Sequence, residues 1–123
     1  MPTSNVTDPH GDRQKARLRG IAAEGLVAEL LETMGWRILA RNWRGGGGEL
    51  DLVARRADLI RFVEVKHRID IEADPIRPAQ VRRLRAAARA WMAKQRGSDW
   101  SEACFWLAEV DAHNGVEWCL DPF

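Results

Sequence analysis

The chain is short of cysteine: Cys104 and Cys119 stand fifteen positions apart with no Cys-x-x-Cys pair, which excludes a thiolate metal site built by this chain alone. It lacks long apolar runs, and none approaches the ~18 residues needed to cross a bilayer. The stretch Met1-Pro2-Thr3-Ser4-Asn5-Val6-Thr7-Asp8-Pro9-His10 has neither a basic region nor an apolar segment. No secretory signal and no membrane association are expected, and a cytoplasmic location follows as the default. No internal repeat is present.

What remains is 123 residues and 13.9 kDa, 46% hydrophobic and 30% charged. That is ordinary for one soluble domain and excludes collagen-like or wholly disordered chains. The net charge of +1 hides a segregation: all nineteen Lys and Arg lie in residues 13–96 beside ten acids, and the flanks hold eight acids and no base. The centre therefore carries +9 and the flanks −8. Such a block, sixteen of its nineteen bases arginine, suits a polyanion. A solvated helix face with an acidic counterweight accounts for it equally well.

Residues 1–12 read as a disordered N-terminal arm, and 13–123 as a single domain. Arg13 to Met34 is rich in Ala, Leu, Glu and Arg without proline, hence a helix, with Gly35 at its end. Trp36 to Trp43 reads as a strand, Gly45 to Gly48 as an unrestricted turn, and Glu49 to Arg55 and Ile60 to Lys66 as a hairpin. A loop through Asp74, Pro75 and Pro78 precedes a second helix, Ala79 to Arg96. Cys104 to Val110 and Val116 to Leu120 close the chain as strands. The order αβββαββ predicts an α/β sandwich with a mixed sheet of about five strands.

The chemistry-bearing residues are acids where apolar residues belong. Alternation puts Glu49, Asp51 and Val53 on one face of their strand, with Leu50, Leu52 and Ala54 on the other. Glu64 and Lys66 share a face with Phe62. Apolar residues on both faces predict a sheet covered on both sides, where unpartnered carboxylates are costly. A divalent cation, bound by hard oxygens, is one partner. Positions i and i+2 are about 6.6–7 Å apart, so Glu64 can hold a metal while Lys66 reaches a phosphate or its attacking water, and Asp51 reaches the same metal if registered opposite. A plain cross-strand ion pair, Asp51 or Glu64 with Lys66 or Arg55, uses the same residues. Glu24 sits among Gly20, Ile21, Val27, Ala28 and Leu31 at helical spacing. It either snorkels at the edge of that stripe or points across the sheet at the same cation.

Gly20-Ile21-Ala22-Ala23-Glu24, the run Gly35 to Arg44, Gly48-Glu49-Leu50-Asp51-Leu52-Val53 and Phe62-Val63-Glu64-Val65-Lys66-His67-Arg68 together resemble the YraN family of uncharacterised bacterial proteins. That family falls within the PD-(D/E)XK superfamily of restriction endonuclease-like, Holliday-junction-resolvase-like nucleases. The resemblance covers roughly residues 15–123. It implies a restriction endonuclease-like three-layer sandwich and an Mg²⁺- or Mn²⁺-dependent endonuclease acting on DNA, including branched DNA. The catalytic cluster implied is Glu24, Asp51, Glu64 and Lys66, with Asp51, Glu64 and Glu24 as metal ligands. Gln80 stands where the family typically has lysine, and is similar there to RecB-like nucleases. Cys104-Phe105-Trp106 replaces the family's Arg-Phe-Asp. These departures leave room for a non-catalytic nucleic-acid-binding module or adaptor on the same fold. Cutting both strands of a junction favours a homodimer.

Arg41, Asn42 and Arg44 border the glycine run and are candidate backbone-phosphate contacts, as are Arg82 and Arg83 on the second helix. The glycine run itself lacks the Walker pattern and reads as a flexible hairpin loop. His67 points away from Lys66 and reads as a structural or a surface residue. Trp91, Trp106 and Trp118 are the expected core tryptophans.

Overall fold

Helix-favouring residues carry α1, Pro9–Thr33, so the helix starts four positions before the expected Arg13. The structure, a computed structural model, describes residues 9–97 and 99–123; the first eight residues of the expected arm lie outside the described residues. Gly35, at φ +91°, ends the helix as the sequence requires. The Trp36 amide returns to the Leu31 carbonyl (2.9 Å) and the Gly35 amide to that of Glu32 (3.0 Å). This paired closure satisfies two carbonyls left over by the helix end and brings Trp36 over Leu31.

Five strands follow in a sheet ordered as in the sequence: β1 (Arg37–Gly45), β2 (Gly48–Arg56), β3 (Leu59–His67), β4 (Glu102–Val110) and β5 (Val116–Leu120). The β1–β2, β2–β3 and β4–β5 pairs are antiparallel. β3 and β4 are parallel, because the chain leaves the sheet between them to form α2 (Arg68–Ala73) and α3 (Pro78–Lys94). The short α2 replaces part of the expected loop. His67 caps it, its Nδ1 accepting the Ile69 amide at 3.3 Å, the structural one of the two roles the sequence allows for that histidine.

Two cores make three layers. On one face Val27, Ala28 and Leu31 of α1 pack on Leu52, Ala54, Val63, Val65 and Ala108. On the other, Ala87, Ala88 and Trp91 of α3 pack on Val53, Ile60 and Phe62. The expected mixed five-stranded α/β sandwich is therefore present, and no helix among the described residues is long and apolar enough to cross a membrane. The tryptophans differ from expectation. Trp36 and Trp91 are buried, whereas Trp106 and Trp118 are half-buried at the edge of the α1-side core. Trp36 is drawn in by its edge contact with Trp106 (centroids 5.2 Å) and by the buried Arg61 guanidinium, which lies over both rings.

The glycine run is a tight turn, not a loose loop. Gly45 pairs with Gly48, and Gly46 (φ +62°) and Gly47 (φ +88°) form the two-residue connection, a geometry that suits the strand twist. Its tip presses on α3: a Cβ on Gly46 would lie 2.6 Å from the Ala86 carbonyl oxygen, and one on Gly48 would collide with the Arg83 carbonyl. Gly48→Ala is expected to lower stability by about 2 kcal/mol or more, because helix and hairpin must separate. Gly47→Ala, with open space around it, should cost only about 1 kcal/mol of backbone strain. Urea titrations of the two variants check the order; equal losses would show that the hairpin does not rest on the helix.

Candidate functional site

Backbone pairing between β2 and β3 runs from Arg56↔Leu59 to Leu52↔Val63 and then stops. At the next positions side chains stand in for the ladder. Asp51 Oδ2 accepts the Val65 amide at 2.9 Å, and Glu64 Oε1 accepts the Asp51 amide at 3.3 Å. The strands fork here with their polar backbone groups satisfied, and the two carboxylates are pulled into the fork. Strict alternation fails at the same place. Leu50 packs with Val53 on the α3 side while Leu52 and Ala54 pack on the α1 side, which corrects the expected grouping of Leu50 with those two.

The fork opens into a cleft of about 670 Å³ lined by Asp51, Glu64, Lys66 and Gln80, with Arg44 and Arg83 at its sides and the glycine hairpin as one wall. Gln80 is there because it falls in the first turn of α3. On the α1 side a smaller hollow of about 240 Å³ contains Asp51 and Lys66 again, together with Glu24 and Asp70. Asp70 holds Arg19 of α1 by two hydrogen bonds, 2.6 and 3.2 Å, clipping the segment after Lys66 to that helix.

Electrostatics follow from burial. Glu64 is only 4% exposed, and burial plus the adjacent Asp51 charge raises its carboxyl well above the ordinary range. Burial also raises Asp51, against the Val65 amide and Lys66, which favour its ionised form. Burial and the Asp51 carboxylate push Glu24 up to about 7, against an Asn42 hydrogen bond that lowers it. Asn42 reaches Glu24 from a left-handed backbone, φ +49°, a conformation asparagine tolerates better than most residues. Glu24 thus points toward Asp51 rather than snorkelling into solvent.

The plain ion-pair alternative is not what the side chains do. Arg55 turns to Asp99 and the Ala57 carbonyl, and Lys66 takes part in none of the ion pairs among the described residues. Nor do three or more His, Cys, Asp or Glu among the described residues group closely enough to hold a metal; Asp51 interacts with Glu64 on one side and with Glu24 on the other.

Of the expected site residues, Asp51, Glu64, Lys66, Gln80, Arg44 and Arg83 share one cleft, and Glu24 and Asn42 approach it from the α1 side. Arg41 and Arg82 do not join them. Arg41 pairs with Glu32 at 3.4 Å on the outer side of β1, and Arg82 lies beside Ile76 and Phe123. Two neighbours flank Glu24 in the α1-side opening: Arg17, which the sequence reading did not single out, and Glu49, which it placed on the Asp51 face without assigning it to the site. The signal for Arg17 was its spacing, two helical turns before Glu24 on the same stripe.

Because these carboxyls titrate above their unfolded values, the folded chain holds protons that the unfolded chain has released. The stability these three carboxyls contribute is fully present below about pH 4 and is lost as pH rises through the folded-state values, that of Glu24 being about 7. In chelator, the urea midpoint should fall between about pH 5 and pH 8, and Glu64→Gln should flatten that fall and exceed the wild type at the alkaline end. A wild type whose midpoint is level across this range would overturn the electrostatic account.

Comparison with known proteins adds a family. A model of the "Uncharacterised protein family UPF0102" matches residues 23–112, a span that contains Glu24, Asp51, Glu64, Lys66 and Gln80. A UPF0102 protein of Mesorhizobium japonicum is 48% identical over 89 residues, 71% of each chain. One of Brucella canis is 44% identical over 92 residues, 73% of each chain, and one of Methylorubrum extorquens is 44% identical over 89 residues, 71% of this chain and 70% of its own. The chain belongs to the UPF0102 (YraN) family, within the restriction endonuclease-like superfamily.

Proposed function

We propose that the chain is a metal-dependent endonuclease that hydrolyses DNA phosphodiester bonds, including those of branched DNA, in the cytoplasm. The observation that carries this reading is the convergence of Asp51, Glu64, Lys66 and Gln80 on one cleft between two arginines. Two adjacent buried carboxylates, both held above the ordinary range chiefly by burial, form a set of hard oxygen donors whose charge a divalent cation offsets, and Mg²⁺ or Mn²⁺ fits that chemistry. Asp51 and Glu64 would hold it, with Glu24 reached directly or through water. When bound, such a cation polarises a phosphoryl oxygen and acidifies water.

The remaining work falls to the chain's own groups. Lys66 stands on the same face as Glu64 and offsets negative charge that grows on the phosphate in the transition state. Gln80 donates or accepts a hydrogen bond that orients the attacking water. Arg44 and Arg83 bind phosphates on either side of the scissile bond. The hairpin tip, resting on α3, narrows the cleft and limits competing solvent.

The test is cleavage of linear and branched DNA by purified protein with Mn²⁺, Mg²⁺ or chelator. Asp51→Asn and Lys66→Ala should each lose at least about 10²-fold in rate, while their circular dichroism stays unchanged. Arg44→Ala and Arg83→Ala should weaken binding and lower its salt dependence, by roughly 0.7–0.9 in log–log slope for each phosphate no longer neutralised. Binding that persists in chelator with no cleavage in any metal would instead leave a non-catalytic nucleic-acid-binding module on this fold.

A further inference from the structure

The outer face of α1, opposite the sheet, is unusual for a surface helix. Ala23, Val27 and Leu31 face the core, while Leu18 and Ile21, one turn apart on the other side, are 58% and 55% exposed. Ala22 lies beside them in solvent, and a side chain at Gly25 would meet nothing within 4 Å. The helix is also split by charge. Its described residues before Ile21 include the bases Arg13, Lys15, Arg17 and Arg19 and a single acid, Asp12; after Ile21 come Glu24, Glu29 and Glu32 and no base. Among the described residues Lys15, Arg17 and Glu29 take part in none of the ion pairs.

Ile21 is the middle residue of Pro9–Thr33. An antiparallel partner helix centred there overlaps the full length of α1, about 37 Å at ~1.5 Å per residue. In that arrangement Leu18 of one copy packs into the gap at Gly25 of the other and Lys15 comes beside Glu29, while Arg19 and Glu32 keep Asp70 and Arg41 as partners. A parallel arrangement would set base against base. The surface that satisfies both the apolar centre and the charge split is the same surface turned by 180°, which is the condition for a two-fold interface.

We infer that a second copy of this chain docks on the outer face of α1, forming an antiparallel α1–α1 dimer about a two-fold axis near Ile21. Arg17 and Glu24 lie on one flank of α1, and a two-fold perpendicular to the paired helices carries that flank to the same side in both copies. The α1-side openings that Ile21 lines with Arg17 and Glu24 therefore lie on one side of the dimer, and the partner copy stands beside each of them. Dimerisation through this face is independent of whether the cleft cuts DNA.

Sedimentation velocity of the full chain, from about 1 to 200 µM, tests it. The wild type should be dimeric in the upper part of this range, and Leu18→Glu monomeric throughout. Lys15→Glu and Glu29→Lys should each weaken dimerisation about tenfold, since the two-fold counts every change twice. The double charge swap should restore it, and raised salt should weaken the wild type but not Lys15→Glu. All of these positions are exposed or solvent-facing, and unchanged circular dichroism confirms folding; should Leu18→Glu fail to fold, the charge swap decides alone. A wild type monomeric at 200 µM, or a dimer that the charge reversals leave intact or the swap fails to rescue, overturns the proposal.

Discussion

The exchange at the β2–β3 fork governs the rest of the molecule. A ladder that continued past Leu52↔Val63 would tie Asp51 and Glu64 into a flat sheet and leave no cleft. Instead the Asp51 carboxylate accepts the Val65 amide and the Glu64 carboxylate accepts the Asp51 amide. Each acid thereby does a backbone's work, and neither has a cation in contact. Satisfying two amides this way is favourable, because an orphaned buried N–H costs about 1–3 kcal/mol. Holding two like charges together in a buried place is unfavourable. The fork is a compromise in which hydrogen bonding fixes the geometry at an electrostatic cost.

The layers exist to hold that compromise. α1 packs beneath β3 and delivers Glu24; α3 packs above β2 and delivers Gln80 and Arg83. The hairpin can touch α3 only because Gly46 and Gly48 carry no side chains, where a flexible hairpin loop was the sequence reading. The Arg19–Asp70 clip fixes the far end of β3, so the segment carrying Lys66 is held from both sides. Asp51 and Lys66, lining openings on both faces of the sheet, are the residues these supports converge on.

Element order and the acid cluster were legible in the sequence because both rest on local patterns: helix composition, strand alternation, and carboxylates at positions that should be apolar. Glu24 could be singled out by its apolar neighbours alone. Three things were not legible. The break in alternation at Asp51 arises from hydrogen bonds between residues fourteen apart, which no local pattern encodes. The fate of the arginines depends on which acid each one meets: Arg41 finds Glu32 and Arg55 finds Asp99, contacts set by tertiary placement. Trp36 was read as the first residue of a strand, yet β1 begins at Arg37 and the closure of α1 brings Trp36 back to the Leu31 carbonyl and beside Trp106.

The cost of the fork also explains why so much of the chain is spent bracing it. A carboxylate pair free to relax would part by a rotamer change and ionise in water. Here Glu64 is buried and bonded to the Asp51 amide, so it cannot simply turn out into water. Burial raises both carboxyls, and the Asp51 charge raises Glu64 further, so a proton or a positive group beside them offsets the cost of their burial. Lys66 is near enough to favour ionisation but not bonded to either acid, which leaves its charge available to an incoming anion. The site therefore holds two buried acids beside an amine bonded to neither, with Arg44 and Arg83 at the sides of the cleft. A network built for stability alone would have closed the lysine onto the acids, because a paired buried charge costs less than an unpaired one.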